Sequence, residues 1–135
     1  MDYSVFNTLL DAVFVVNEEK KLVYANEAAA NLVGMSLKRL KRGTDMEQFF
    51  QTDPPIFLPS MRQIQTPTPY KELGFSNKNG SGFIQITIQP TPYGEGDKGP
   101  AEWVVFARDI SLEMRLQAKY KLEAIAKDQA LEKVE

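Results

Sequence analysis

The stretch from Ala12 to Gly34 reads AVFVVNEEKKLVYANEAAANLVG, and no other part of the sequence restricts the fold as tightly. Two short apolar runs rich in β-formers, Ala12 to Val16 and Lys21 to Ala25, flank the polar turn Asn17-Glu18-Glu19-Lys20, and helix formers follow from Asn26. The spacing predicts a hairpin that feeds a helix. The handover falls at Asn26 because its amide oxygen can accept a hydrogen bond from a free N–H of the first helical turn. Ala28, Ala29 and Ala30 favour the helix, Leu32 and Val33 give it an apolar edge, and Gly34 can take the left-handed conformation that ends it. Asn26 and Gly34 are read as helix punctuation rather than as ligand contacts.

A chain of 135 residues suits one domain with its own core. Sixteen basic and eighteen acidic residues leave a net charge of -2, too balanced to imply nucleic acid. No apolar run approaches membrane-spanning length, and MDYSVFN has neither the basic nor the apolar part of a signal peptide. The sequence holds no Cys and no His. Thiolate and imidazole chemistry is therefore excluded: disulfides, the usual zinc sites, iron–sulfur clusters, His- or Cys-ligated haem, Cys nucleophiles and Ser-His-Asp triads. A Cys-free chain fits a reducing, cytoplasmic compartment.

Asp2 to Leu10 predicts a short helix with Val5, Phe6, Leu9 and Leu10 on one stripe, which must pack on something to persist. In MSLKRLKRGTDMEQFF, the cations Lys38, Arg39, Lys41 and Arg42 surround Leu37 and Leu40. Those leucines are three apart, as in a turn that buries one side. The cations are read as a hydrated face in preference to an anion or lipid site. Thr44 or Asp45 then caps a short helix carrying Met46, Phe49 and Phe50 inward. Five of the eight prolines fall between Asp53 and Pro69 and allow at most a helix from about Pro59 to Gln65.

Strands follow. Tyr70 to Asn77 leads to the turn dipeptide Asn79-Gly80, after which Phe83 to Gln89 alternates, with Ile84, Ile86 and Ile88 on the core face. Beyond a Gly/Pro-rich connection from Pro90 to Pro100, Glu102 to Arg108 is apolar on both faces, Trp103, Val105 and Ala107 against Val104 and Phe106. A sheet covered on both sides follows. Ser111 caps a last helix that runs to Glu135, where Leu112, Leu116, Tyr120, Ala124, Leu131 and Val134 recur near the 3.5-residue period. That pattern reads as a coiled-coil seam, with a helix folded back on the sheet as the alternative. With no C-cap at its end, the helix is expected to continue into a further domain.

This order of elements resembles a PAS domain. LVYANEAAANLVGMSLKRLKRG is similar to the family's second strand, Asn cap, helix and glycines. NKNGSGFIQITIQP is similar to its Gly-containing hairpin and Pro-terminated strand. Asp109-Ile110-Ser111 is similar to the Asp-Ile-Thr junction that joins the last strand to a signalling helix. The resemblance covers about Ser4 to Ser111 plus the exit helix. It implies an α+β fold with a five-stranded antiparallel sheet, divided as an N-terminal cap helix (1–10), a PAS-like domain (11–110) and a signalling helix (111–135). It also implies a cavity between sheet and helices. On the alternations above, that cavity is walled by Phe14, Val16, Leu73, Phe75, Ile84, Ile86, Ile88, Trp103, Val105 and Ala107 and closed by Leu32, Phe50, Ile56 and Phe57. All of these are apolar, so a filled core is favoured over a ligand site, and both readings stand.

No cofactor is expected. Without Cys the flavin-adduct branch of the family is excluded, and without His the haem branch. No Lys or Arg falls on the predicted inner face, which speaks against its carboxylate sensors. A small apolar ligand, or non-covalent flavin near Trp103, remains open. The resemblance further implies a non-catalytic sensory or relay domain that forms a homodimer. The dimer would use Val5, Phe6, Leu9 and Leu10, the outer-face residues Val13, Val15, Val104 and Phe106, and Leu112, Leu116 and Tyr120 of the exit helix. Asp109, Ile110 and Ser111 would pass a shift to an output domain of the same polypeptide, a histidine kinase or nucleotide cyclase. A ligand-free dimerisation domain is the alternative. An enzyme is disfavoured because Asp45, Glu47 and Asp53 fall on helix starts or loops.

Overall fold

The computed structural model describes residues 3–40, 42–55, 61–77, 80–91 and 102–133, without the side chains of Phe49 and residues 130–133. Expectations for Ile56, Phe57, Lys41, Asn79, most of the connection before the last strand, the inward side chain of Phe49, and the seam positions Leu131 and Val134 therefore lie outside the described residues.

The hairpin forms as the pattern predicts, from β1 (Ala12–Asn17) and β2 (Leu22–Ala25). Asn17 closes its turn, with Oδ1 accepting from the N–H groups of Glu19 at 2.9 Å and Lys21 at 3.0 Å. α1 (Glu27–Val33) begins at Asn26 and ends at Gly34, whose φ of 82° is the left-handed conformation only glycine adopts freely. After α2 (Met46–Phe49) come β3 (Gln51–Asp53), β4 (Lys71–Asn77), β5 (Gly80–Pro90), β6 (Glu102–Asp109) and α3 (Ser111–Lys133).

The strands form one antiparallel sheet in the order β2-β1-β6-β5-β4-β3. It has six strands rather than the expected five. The extra one, β3, pairs Gln51–Asp53 with Gly74–Ser76 at the sheet edge. Three residues that stop at Pro54 are too short to display an alternation. Among the described residues of the Pro-rich segment that follows, Met61–Gln63 forms a 3-10 turn.

Both faces of β1 and β6 are buried. On the inner face, α1, α2 and the 61–64 segment cover a single cluster built on Trp103, Phe14 and Phe50. On the outer face, Val13, Val15 and Val104 lie beneath Tyr3, with Phe6, Val23, Tyr24 and Phe106 packed around them. The cover is the chain's own N-terminal segment, where the expected helix is a 3-10 turn, Ser4–Thr8. The turn ends at Thr8 and the chain is extended at Leu9, so Leu9 and Leu10 lie beyond it and the predicted stripe does not form. Phe6 faces the sheet and meets Phe106 edge-on at 5.6 Å. Val5 and Leu10 stand 69% and 96% exposed.

Side-chain hydrogen bonds fasten this cover, among them Tyr3 to Glu102 at 2.5 Å, Tyr24 to Asn7, and Asn26 to the Phe6 carbonyl at 3.0 Å. Burial, then the hydrogen bond to the Glu102 carboxylate, then its charge, hold the Tyr3 phenol well above its ordinary range. The unfolded chain releases this proton near pH 10 while the folded chain keeps it. This contribution to stability is therefore complete below about pH 10 and declines as the pH rises further. Urea melts between about pH 8 and 11 should show that decline, and Tyr3→Phe should flatten it; an unchanged slope would contradict the assignment.

Candidate functional site

Of the expected cavity wall, Phe14, Val16, Leu32, Phe50, Leu73, Phe75, Ile84, Ile86, Ile88, Trp103, Val105 and Ala107 all enter the inner cluster. The strand registers bring them together: Phe14 opposite Val105, Ile86 opposite Ala107, Leu73 opposite Ile84. Phe50 sits between Phe14 and Phe75, with ring centroids 5.6 and 5.8 Å apart. Trp103 is fully buried and donates its indole N–H to the Ile64 carbonyl at 2.7 Å, which satisfies its one polar atom. Most of the predicted wall is thus packed core.

A cavity of about 130 Å³ remains at one end, lined by Pro54, Pro55, Ile64, Thr68, Lys71, Leu73, Ile86 and Ile88. Only Leu73, Ile86 and Ile88 of the predicted wall reach it. The expectation that no cation lies on the inner face is overturned by Lys71, which begins β4 two residues before Leu73 and so shares its face. The sequence reading began that strand at Tyr70 and placed only Leu73 and Phe75 of it on the inner face. Met46, Met61 and Ile64 also enter the inner cluster. The three-residue spacing of Met61 and Ile64 was the available signal, hidden among prolines.

The second feature is the joint between β6 and α3. Ile110 donates its N–H to the Phe83 carbonyl at 2.9 Å, extending the β5–β6 ladder by one bond. Ser111 then turns into the helix. It is the first helical residue rather than the cap; the Asp109 carboxylate caps its N–H at 2.9 Å. The Ser111 hydroxyl is left to accept from the Phe83 N–H at 2.9 Å. This close approach depends on Gly82, where a Cβ would stand 2.3 Å from Ser111 Oγ and 2.9 Å from the Phe75 ring. Beside the joint an open groove of about 590 Å³ is lined by residues of β3, β4 and β5 and the start of α3, with Asp53 and Arg115 among them. Beyond it α3 carries Leu112, Leu116, Tyr120, Leu122 and Ile125 exposed.

Among the described residues no group of three or more Asp or Glu side chains could hold a metal ion, and no helix is long and apolar enough to cross a membrane. Asp45 caps α2 through the Glu47 N–H at 3.1 Å, and Glu47 pairs with Lys20 at 2.8 Å. Neither faces the cavity.

A family model described as the PAS domain matches residues 10–112. The chain belongs to the PAS domain family. PAS domains are generally sensory and non-catalytic, and the match spans the sheet, the cavity and the β6–α3 joint of this one. No curated protein matches the sequence significantly. Among solved structures, the fold is similar to the PAS domain of nitrogen regulation protein NR(II) from Vibrio parahaemolyticus, with 18% identity and a TM-score of 0.61 over 79% of this chain and 95% of that one. It is also similar to a light-oxygen-voltage domain studied with a flavin analogue, with 23% identity and a TM-score of 0.63 over 93% and 98%. A third likeness is to a PAS domain from a two-component sensor histidine kinase, with 13% identity and a TM-score of 0.55 over 78% and 90%.

Proposed function

We propose that this PAS domain is a cytoplasmic, non-catalytic relay that works as a homodimer. It would pass a shift in its sheet through α3 to an output domain of the same polypeptide, a histidine kinase or a nucleotide cyclase. The observation that carries this reading is the Ser111 hydroxyl seated on the Phe83 backbone over Gly82. A helix bonded to β5 at its first residue follows β5 when the sheet moves, and a hinge at an element end is where such a shift is taken up. The exposed leucines of α3 supply a surface for a second copy, and the likeness to the PAS domain of a two-component sensor histidine kinase favours a kinase output. The outer-face residues Val13, Val15, Val104 and Phe106 are less available, because Tyr3 and Phe6 cover them. In this reading Val5, Leu9 and Leu10 present the outer side of that cover to the partner.

The stimulus we propose is a small, mostly apolar molecule with one anionic or polar end. Its body would rest on Leu73, Ile86 and Ile88 and its polar end on Lys71. An apolar cavity of about 150 Å³ accommodates a molecule the size of benzene, so 130 Å³ favours such a ligand over a three-ring flavin. The dense packing around Trp103 favours the second reading, a ligand-free dimerisation domain.

Native mass spectrometry of the freshly purified chain separates these readings. A dimer with one extra small mass per subunit is the expected result. A bare dimer would transfer support to the ligand-free reading, and a monomer at micromolar concentration would contradict both.

A further inference from the structure

The turn after α1 presents a cluster of positive charge. The Ser36 carbonyl accepts from the N–H groups of both Arg39 and Leu40 at 3.0 Å, which closes a single tight turn. Gly34 precedes it in the left-handed conformation; Gly43, with φ 87°, follows it and donates its N–H to the Leu22 carbonyl at 2.7 Å. Leu40 is 5% exposed and anchors the turn in the inner cluster, so the side chains around it are held outward.

Those outward side chains are Lys38, Arg39 and Arg42, with Leu37 beside them at 41% exposure. None of the three cations has an ion-pair partner among the described residues. The ion pairs among the described residues are formed by other cations: Asp45 with Lys21 at 3.9 Å, Glu47 with Lys20, and Glu18 with Arg62. The net charge is -2, so without these three cations the chain would carry -5. The domain is therefore acidic overall with a concentrated basic spot. Such a charge distribution orients a protein in the field of a negative surface.

We infer that Leu37, Lys38 and Arg39 of this turn, with Arg42 beside it, dock the domain on an anionic lipid surface. A projecting turn that carries an exposed leucine among cations matches the chemistry of a bilayer interface, with the aliphatic chain at the headgroup boundary and the cations on acidic headgroups. An acidic peptide would more commonly be held in a groove, and among the described residues neither the cavity at Lys71 nor the groove at Arg115 is lined by a residue of the turn. The proposal stands apart from the relay reading, since it uses neither α3 nor the inner cavity.

Co-sedimentation of the 135-residue chain with phosphatidylcholine vesicles, with and without about 30 mol% phosphatidylserine, tests it at roughly 0.1 M salt. Binding is expected only to the anionic vesicles and should weaken steeply as salt is raised. Each cation near such a surface contributes about fivefold in partitioning, so Lys38→Gln, Arg39→Gln and Arg42→Gln together should reduce it roughly 100-fold. Leu37→Ser should reduce it less. All four side chains are exposed, and unchanged circular dichroism melts would show that the variants fold. Equal binding to neutral vesicles, no binding to anionic ones, or binding insensitive to the triple substitution would overturn the proposal. So would retention on immobilised polyglutamate without vesicle binding, which would make an acidic polypeptide the partner.

Discussion

Replacing Asn26 with alanine is expected to destabilise the domain by about 4 kcal/mol, from one cap and several buried groups left unpaired. The side chain is 1% exposed and uses all of its hydrogen-bonding capacity. Oδ1 accepts from the N–H groups of Ala29 at 2.9 Å and Val13 at 3.0 Å, while Nδ2 donates to the carbonyls of Phe6 at 3.0 Å and Asp11 at 2.9 Å. One amide thus joins the N-terminal cover, β1 and α1. Truncation removes the helix cap and leaves two N–H groups and two carbonyls with water or nothing. A domain of this size is stable by about 5–15 kcal/mol, so the loss would be a large share of the whole and lower the melting temperature by roughly 10–20 °C. Asn26→Asp retains the acceptor, loses both donations and places a charge in the core, and should fare no better. A loss below about 1 kcal/mol in urea melts of Asn26→Ala would show that these bonds are not interdependent.

Trp103→Ala carries the next largest expected effect, about 4 kcal/mol, from deletion of a fully buried aromatic together with its hydrogen bond. The indole spans the inner face and reaches the Ile64 carbonyl, tying the 61–64 segment to the sheet. Trp103→Phe retains most of the apolar contact and strands that carbonyl, at a cost nearer 1–3 kcal/mol. The loss in Trp103→Phe measures how far the indole hydrogen bond positions the wall of the 130 Å³ cavity, and the further loss in Trp103→Ala measures the contribution of bulk. If Trp103→Phe proved as damaging as Trp103→Ala, the hydrogen bond to Ile64 rather than bulk would hold the site.

The strands and α1 were legible because their signals are local. Alternation set the face of Ile84, Ile86 and Ile88, and an Asn–Gly pair set the ends of α1. Family membership rested on the order of those signals. What was illegible depends on partners distant in sequence. β3 exists only because β4 offers an edge to Gln51–Asp53. The N-terminal segment reads as an amphipathic helix, yet Phe6 and the bonds to Glu102 and Tyr24 hold it as a 3-10 turn on the outer face. The cavity was the hardest feature to foresee. Alternation identifies which residues face inward, but not which of them meet a partner, so most of the expected wall became core and Lys71 was missed. At the joint, the role of Ser111 changed from cap to latch because Asp109 already supplies the cap.

The relay reading rests on the angular phase of α3, and one measurement addresses it directly: output activity of the full-length protein after insertion of a single residue following Gln117. The insertion rotates everything beyond it by about 100° while leaving the sheet, the cavity and the Ser111 latch intact. Loss of signal-dependent output, with the domain's melting temperature unchanged, is the predicted result. Unaltered regulation would contradict the claim that α3 carries the signal.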